Sequence, residues 1–279
     1  MKKLMIAASA ALCAAVGFSA GEVQSAEIVG YSNKTCPANK FVQVAMQFED
    51  VASGLLAVDK IMSGIPGVTI EDDYETFLVT ASQIQIVKED GNPDIYFYLN
   101  DGWYDAGGDD WRRDKPGWCD AGGNLVDLKT LSGQGFWLWV KSPTAEVMQG
   151  AGQVPGVTEV DVTAQGGIFS INGGVFPVAI NLNDPNQVSY KQITGVTIDE
   201  DYETFLTTAP QIQVVREDGN PDIYFYLNDG WYDAGGDDWR RDKPGWCDAG
   251  GNLVDVVIQP QGAFWVWAKT GAITFTYKR

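Results

Sequence analysis

The 279-residue sequence contains two tandem copies of one module, and this repeat constrains the fold more than any other feature. Residues 67–127 recur at 195–255, shifted by 128 positions, with only six differences. Outside this stretch the similarity is weaker: we align 44–48 with 178–182 at a shift of 134, and 135–141 with 263–269. Each copy is far longer than a solenoid or propeller unit of roughly 20–50 residues. We therefore predict two tandem modules, 27–152 and 153–279, each large enough to fold alone.

The amino terminus has the pattern of a bacterial secretory signal peptide, which we predict over residues 1–26. Lys2 and Lys3 form a positive start, and an apolar run rich in small residues follows to about Ala20. This run is too short and too poor in large apolar residues for a membrane anchor. Cleavage is expected after Gly21 or after Ala26. No other apolar stretch is long enough to span a bilayer, so the sequence predicts a secreted protein, extracellular or at the cell surface, with the periplasm as an alternative.

The charge and the absence of histidine exclude several classes of function. The sequence has 37 acidic residues, 19 basic residues and no histidine, for a net charge of −18. Nucleic acids and anionic membranes need clustered basic residues, so we expect neither as a partner. Histidine-dependent nucleophiles and histidine zinc sites are excluded. A glycoside hydrolase using two carboxylates remains a third alternative, but no acidic residue stands out. We predict that the protein is not an enzyme.

Alternating apolar residues predict that each copy is built from β-strands. Segments 41–48, 83–86, 94–99 and 135–141 alternate with a period of two and are rich in β-branched and aromatic residues, which is the strand signal. Glycine and aspartate clusters at 89–93 and 105–108 indicate turns. Only 55–62 has a helical pattern. The predicted fold class is all-β, with two small antiparallel β-sandwich or barrel modules.

The strand pattern also predicts an aromatic face. If Ile95, Phe97, Phe136 and Leu138 point into the core, their aromatic neighbours point away from it and form a surface that could bind sugar rings. The candidate ligand-binding residues are Tyr96, Tyr98, Trp103, Trp137 and Trp139, with their copies Tyr224, Tyr226, Trp231, Trp265 and Trp267. The alternative is that both faces are buried, because large aromatic residues are mostly core residues.

The acidic loop 101–110 and its copy 229–238 are candidate calcium sites. Carboxylates, together with backbone carbonyls that the neighbouring glycines leave accessible, could surround Ca²⁺, which takes six to eight oxygen ligands. The candidate ligands are Asp101, Asp105, Asp109 and Asp110, with Asp229, Asp233, Asp237 and Asp238 in the second copy. The alternative is a set of solvated ion pairs with the basic residues that follow the loop, Arg112, Arg113 and Lys115. No other cofactor is predicted.

The cysteines allow two interpretations. Removal of the signal peptide leaves Cys36, Cys119 and Cys247, which is an odd number for an oxidising compartment. A Cys36–Cys119 disulfide would close the first copy and leave Cys247 unpaired or available to another chain. Alternatively, all three are reduced and buried.

Four short segments carry a resemblance to a group of secreted proteins. The opening residues 27–31, the strand 83–85, the segment 98–103 and the closing 135–137 resemble a loose group of secreted bacterial tandem-repeat β-module proteins of unknown function. The resemblance implies a signal peptide that leads directly into such modules. The second copy lacks the 27–31 motif, so the resemblance does not supply its first strand.

No activity accompanies that resemblance. The sequence therefore predicts a secreted, non-enzymatic structural or adhesive extracellular protein. The alternative is a carbohydrate-binding protein, and the expected partner is an extracellular protein, a glycan or a second copy of the chain.

Overall fold

The computed structural model shows an all-β protein, which confirms the predicted fold class. It describes residues 29–50, 58, 62–67, 74–105, 110–113, 115–196, 202–233 and 238–279. Strands account for 47% and helix for 5% of the structure. The predicted signal peptide lies outside the described residues, as does all of the predicted helix 55–62 except Val58 and Met62. None of the described helices is long and apolar enough to cross a membrane.

The first copy contains ten strands and one short helix. In chain order they are β1 (Val29–Cys36), β2 (Phe41–Ala45), β3 (Met62–Ser63), α1 (Tyr74–Thr80), β4 (Gln83–Val87), β5 (Pro93–Leu99), β6 (Gly102–Asp105), β7 (Asp110–Arg113), β8 (Gly117–Cys119), β9 (Gly135–Trp139) and β10 (Glu146–Gln153). The predicted turn after β4 is present: Lys88 donates its backbone N–H to Asn92 at 2.9 Å, and Gly91 adopts a φ of 84° that favours glycine.

The second copy contains twelve strands and one short helix. They are β11 (Glu159–Ala164), β12 (Phe169–Gly173), β13 (Ile180–Asn181), β14 (Val188–Lys191), α2 (Tyr202–Thr208), β15 (Gln211–Val215), β16 (Pro221–Leu227), β17 (Gly230–Asp233), β18 (Asp238–Arg241), β19 (Gly245–Cys247), β20 (Val257–Ile258), β21 (Ala263–Trp267) and β22 (Ile273–Lys278).

Each copy is a sandwich of one five-stranded and one three-stranded antiparallel sheet. The five-stranded sheets have the orders β2-β9-β4-β5-β8 and β12-β21-β15-β16-β19. The three-stranded sheets have the orders β1-β10-β3 and β11-β22-β14. The strands β1 and β11 lie at corresponding places in the two copies, so the second copy does have a first strand despite lacking the 27–31 motif.

The alignment at a shift of 134 is wrong. Strand β12 pairs with β21 as β2 pairs with β9, and Phe169 and Phe41 occupy the same register position, 128 residues apart. The shift of 128 therefore holds from β2 to β9, and it also places Cys36 of β1 with Ala164 of β11, both fully buried. The sequence of β12 obscures this relation, because polar Ser170 and Asn172 stand where β2 has Val42 and Val44.

The main core of each copy fills the space between its two sheets. In the first copy it joins Cys36 and Met148 of the three-stranded sheet to Ile84, Phe136 and Leu138 of the five-stranded sheet. The second copy repeats this arrangement around fully buried Trp246, Phe264 and Phe275. Burial of apolar surface at about 25 cal/mol per Å² is the main stabilising contribution in such a sandwich.

The helices cover part of the opposite face of each five-stranded sheet. Phe77 of α1 packs edge-on against Phe97 of β5 with ring centroids 5.6 Å apart, and Phe205 of α2 contacts Phe225 in the same way at 5.6 Å. Cys119 and Cys247 belong to these smaller clusters. The remaining part of this sheet face is where the two copies meet.

The two copies pack against each other through a local two-fold relation. The backbone N–H of Ala45 donates to Gln261 at 3.2 Å, and the N–H of Gly173 donates to Gly133 at 2.9 Å. Ala45 is equivalent to Gly173 and Gln261 is equivalent to Gly133 at a shift of 128, so the two hydrogen bonds are equivalent. Reciprocal contacts of this kind define an isologous interface, here formed within one chain.

Glycine permits the closest approach in this interface. Gly135 and Ala263 are equivalent positions, and a Cβ on Gly135 would come 2.7 Å from the Ala263 Cβ. Gly173 and Ala45 are also equivalent, and a Cβ on Gly173 would overlap the Ala45 Cβ. Each facing pair therefore holds one glycine and one alanine, because two alanines would collide.

A glutamine of the first copy forms hydrogen bonds to the second copy across the interface. The Gln43 side-chain oxygen accepts from the Val215 N–H at 3.0 Å, and its Nε2 donates to the Gln213 carbonyl at 3.5 Å. Gln43 is buried, and buried polar groups need such partners.

Candidate functional site

Strand register places aromatic residues from both copies on the sheet faces that meet. In β2, β9 and β4, Trp139 lies beside Phe41 and Gln83, and Trp137 lies beside Gln43 and Gln85. Side chains at neighbouring register positions share one face of a sheet. The second copy places Trp265, Trp267 and Phe169 in the same way.

Six rings from the two copies form one continuous row, which we call the aromatic row. Its members in order are Trp139, Phe41, Trp137, Trp265, Phe169 and Trp267. The successive centroid distances are 4.6, 5.9, 5.9, 4.8 and 4.9 Å. The central contact joins the equivalent residues Trp137 and Trp265, so the row crosses the local two-fold axis.

A lysine covers each end of the aromatic row. Lys141 Nζ lies 3.1 Å from the Trp139 ring centroid, and Lys269 Nζ lies 3.2 Å from that of Trp267. These are cation–π contacts. Partial burial against the rings lowers the pKa of both lysines. Lys141 also donates to the Val79 carbonyl at 2.8 Å, which fixes one end of the row.

The six rings are half-buried, so each is packed on one side and accessible on another. A cavity of about 230 Å³ opens beside Phe41, Gln85 and Trp137. The indole N–H groups of Trp139 and Trp265 are buried without a hydrogen-bond partner. The row therefore combines accessible apolar surface with a neighbouring amide group, that of Gln85.

The four tyrosines predicted to share the aromatic face do not belong to it. Tyr96 and Leu138 both pair with Ile84, so Tyr96 shares a face with core residues, and Tyr98 packs against the same core. In the second copy Tyr224 packs against the core and Tyr226 is only 7% exposed. Burial raises the pKa of Tyr96, Tyr224 and Tyr226.

Cross-strand register explains this error. The alternation within β5 and within β9 was predicted correctly, but the register places the tyrosines of β5 beside Leu138 rather than beside the tryptophans of β9. Ile95, predicted as core, is consequently 40% exposed. Phe97 and Leu99 are buried, but in the small cluster that contains Phe77 of α1 rather than with Leu138.

The acidic loops form β-hairpins. Strand β6 pairs with β7, which places Trp103 opposite Arg112 and Asp105 opposite Asp110 along the backbone. The second copy pairs Trp231 with Arg240 and Asp233 with Asp238. The side chains of these residues lie outside the description, as do Asp109 and Asp237 entirely.

The calcium site therefore stays a prediction. Asp101 and Asp229 are exposed at the start of each hairpin. Within the described ranges there is no group of three or more acidic or cysteine residues placed to hold a metal.

The predicted Cys36–Cys119 disulfide is absent. Cys36 lies in the main core of the first copy, whereas Cys119 lies in the cluster beneath α1 on the other side of the sheet. Cys36, Cys119 and Cys247 are buried thiols, as in the second interpretation. Burial raises the pKa of Cys36, which disfavours the reactive thiolate.

Sequence reasoning missed four members of this site: Phe41, Phe169, Lys141 and Lys269. The usable signal was the constant shift of 128, which makes Phe41 equivalent to Phe169 and Lys141 equivalent to Lys269. The contact between the aromatic residues of the two copies could not be predicted from the sequence, because it depends on how the copies pack.

Comparison with known proteins adds no relative to this description. No family model matches the chain, and neither the curated proteins nor the solved structures contain a match.

Proposed function

We propose that the protein is a secreted, non-enzymatic carbohydrate-binding protein that acts in adhesion, with the aromatic row as its glycan-binding surface. The observation that carries the proposal is the continuity of six half-buried rings across both copies. Sugar rings present apolar C–H faces that stack on tryptophan, and exposed apolar patches of this kind mark ligand sites.

The polar groups beside the row fit neutral sugars. Gln85 lies at the cavity next to Trp137 and Phe41, and an amide can both donate to and accept from a hydroxyl. None of the described residues that line this cavity is acidic. A hydrolase would need two carboxylates flanking the sugar, so this surface favours binding over catalysis.

The length of the row supports a role in adhesion. A surface that contacts several sugar units gains affinity from each additional stacked ring. The net charge of −18 opposes non-specific attachment to anionic polymers. Specific stacking on neutral glycans would then dominate the contacts of the protein.

The test is a glycan array probed with the purified mature protein and the Trp137→Ala/Trp265→Ala variant. We expect wild-type protein to bind neutral glycans, and the variant to lose at least about tenfold in apparent affinity because two stacking surfaces are removed. Tyr31→Ala is the matched control, since it removes a 70% exposed ring outside the row.

Two results would contradict the proposal: no glycan bound by the wild-type protein, or equal binding by the double variant. The Trp137→Phe/Trp265→Phe variant is the control for misfolding. Phenylalanine keeps an aromatic face at both positions, so this variant should retain intermediate affinity. Circular dichroism establishes that each variant keeps the β-sheet fold.

A further inference from the structure

A lysine occupies an inward position of a strand where the other copy has a core valine. Strand β1 alternates, so that Asn33 and Thr35 are exposed while Cys36 is fully buried. Lys34 is half-buried and pairs with buried Met148. Its equivalent at a shift of 128 is Val162, which is only 9% exposed and belongs to the core. A charged residue at such a position requires an explanation.

Lys34 lines a cavity between the two copies. This cavity has a volume of about 480 Å³, within the usual range for small-molecule sites. Its walls combine apolar residues such as Val42, Val214 and Ile258 with polar ones, among them the charged residues Arg216 and Glu217. The residues that line it come from β1, β2 and the segment between them in the first copy, and from β15, β20, β21 and adjoining connecting segments of the second.

The local two-fold relation allows this cavity to be compared with an equivalent one. A second cavity of about 290 Å³ is lined by the equivalent elements, with Val162 in place of Lys34 and Ser170 in place of Val42. The duplicated interface therefore produces two cavities. Lys88 lines the smaller one and pairs with Asp94 at 3.1 Å, and only the larger one has a lysine at the inward strand position. This difference is specific to the first copy.

The Lys34 amine has no counter-charge in contact. Among the residues that the structure describes, it makes no hydrogen bond and no salt bridge. Burial lowers the pKa of Lys34, and the nearby Cys36 and Glu217 offset only part of this effect. Arg216, also at the cavity, interacts instead with Asp222 at 3.5 Å and with Asp218 at 3.7 Å. A desolvated ammonium without a partner is unfavourable.

We propose that this cavity binds a small molecule carrying one carboxylate on a short apolar body, with the carboxylate paired to the Lys34 ammonium. The apolar wall residues would hold the body, and the ion pair would fix its orientation. Such a ligand differs in chemistry from the neutral glycans proposed for the aromatic row. The two sites are therefore independent, and either can be present without the other.

The test is titration of the mature protein with hexanoate and with hexanamide, which has the same apolar chain without the charge. Isothermal titration calorimetry should show hexanoate binding at least about tenfold more tightly than hexanamide, because only hexanoate forms the charged pair. The Lys34→Val variant should lose this preference. Its fold is expected to survive, since valine is the residue at the equivalent position in the second copy.

The control variant is Lys129→Val, which removes an exposed lysine that does not line the cavity and should bind hexanoate as the wild type does. If Lys34→Val does not fold, Lys34→Gln removes the charge while keeping a long side chain. Equal affinity for the two probes, unchanged hexanoate binding after loss of Lys34, or no hexanoate binding at all would overturn the proposal. Glycan binding by Lys34→Val should remain at the wild-type level, which separates this test from that of the aromatic row.

Discussion

Replacing Trp246 by alanine is expected to lower the free energy of unfolding by about 3–5 kcal/mol, as for other large-to-small changes at fully buried aromatic residues. Trp246 is 0% exposed. It meets Tyr226 edge-on with centroids 5.2 Å apart, and its indole N–H donates to the Tyr190 hydroxyl at 2.9 Å. The substitution would therefore open a cavity in the second copy and also leave the Tyr190 hydroxyl without that donor.

Denaturant unfolding monitored by circular dichroism measures this effect. Trp246→Phe should cost less than the alanine variant because it keeps a ring in the cavity. Val257→Ala serves as the matched control: Val257 lies in the second copy but is 44% exposed, and a surface change should shift stability by no more than about 0.5 kcal/mol. A loss below about 1 kcal/mol for Trp246→Ala would show that this core is not packed as described.

Replacing Gly173 by alanine is expected to destabilise the protein by about 1–3 kcal/mol, which is typical of inserting one extra methyl group into tight packing. The added Cβ would overlap the Ala45 Cβ and lie 2.9 Å from the Gly262 carbonyl oxygen. The two copies would have to separate locally to accommodate it. Gly173 also donates its N–H across this interface to Gly133, so separation would weaken that hydrogen bond.

The compensating change distinguishes this mechanism from a general loss of stability. Because Ala45 and Gly173 are equivalent positions, the Ala45→Gly/Gly173→Ala variant exchanges the two residues and restores one glycine and one alanine. Most of the stability lost in Gly173→Ala should return. A double-mutant cycle measures this coupling directly. Additive effects of the two changes would mean that the residues do not face each other.

The sequence was sufficient for strands β2, β4, β5 and β9, but not for which of their faces lie together. Alternation within β4, β5 and β9 predicted strands correctly because the side-chain period of a strand is local. Which strand faces lie together depends on register, and a shift of one residue exchanges the two faces. This is why Tyr96 and Tyr98 were assigned to the wrong side while Trp137 and Trp139 were correctly placed on one face.

The interface between the copies could not be predicted from the sequence for a different reason. Gly173 and Gly135 are ordinary glycines in the sequence, and their role depends on the proximity of Ala45 and Ala263. Lys34 was equally inconspicuous, because an alignment at a shift of 134 does not pair it with Val162. Non-local packing between repeats leaves little trace in local patterns.

The stoichiometry of glycan binding tests the central claim most directly. Isothermal titration calorimetry with the longest oligosaccharide identified on the array should give one ligand per chain, because the aromatic row runs unbroken from Trp139 to Trp267. Trp137→Ala and Trp265→Ala should each weaken that same single site. Two independent ligands per chain, with each substitution affecting only one of them, would contradict a binding surface built jointly by the two copies.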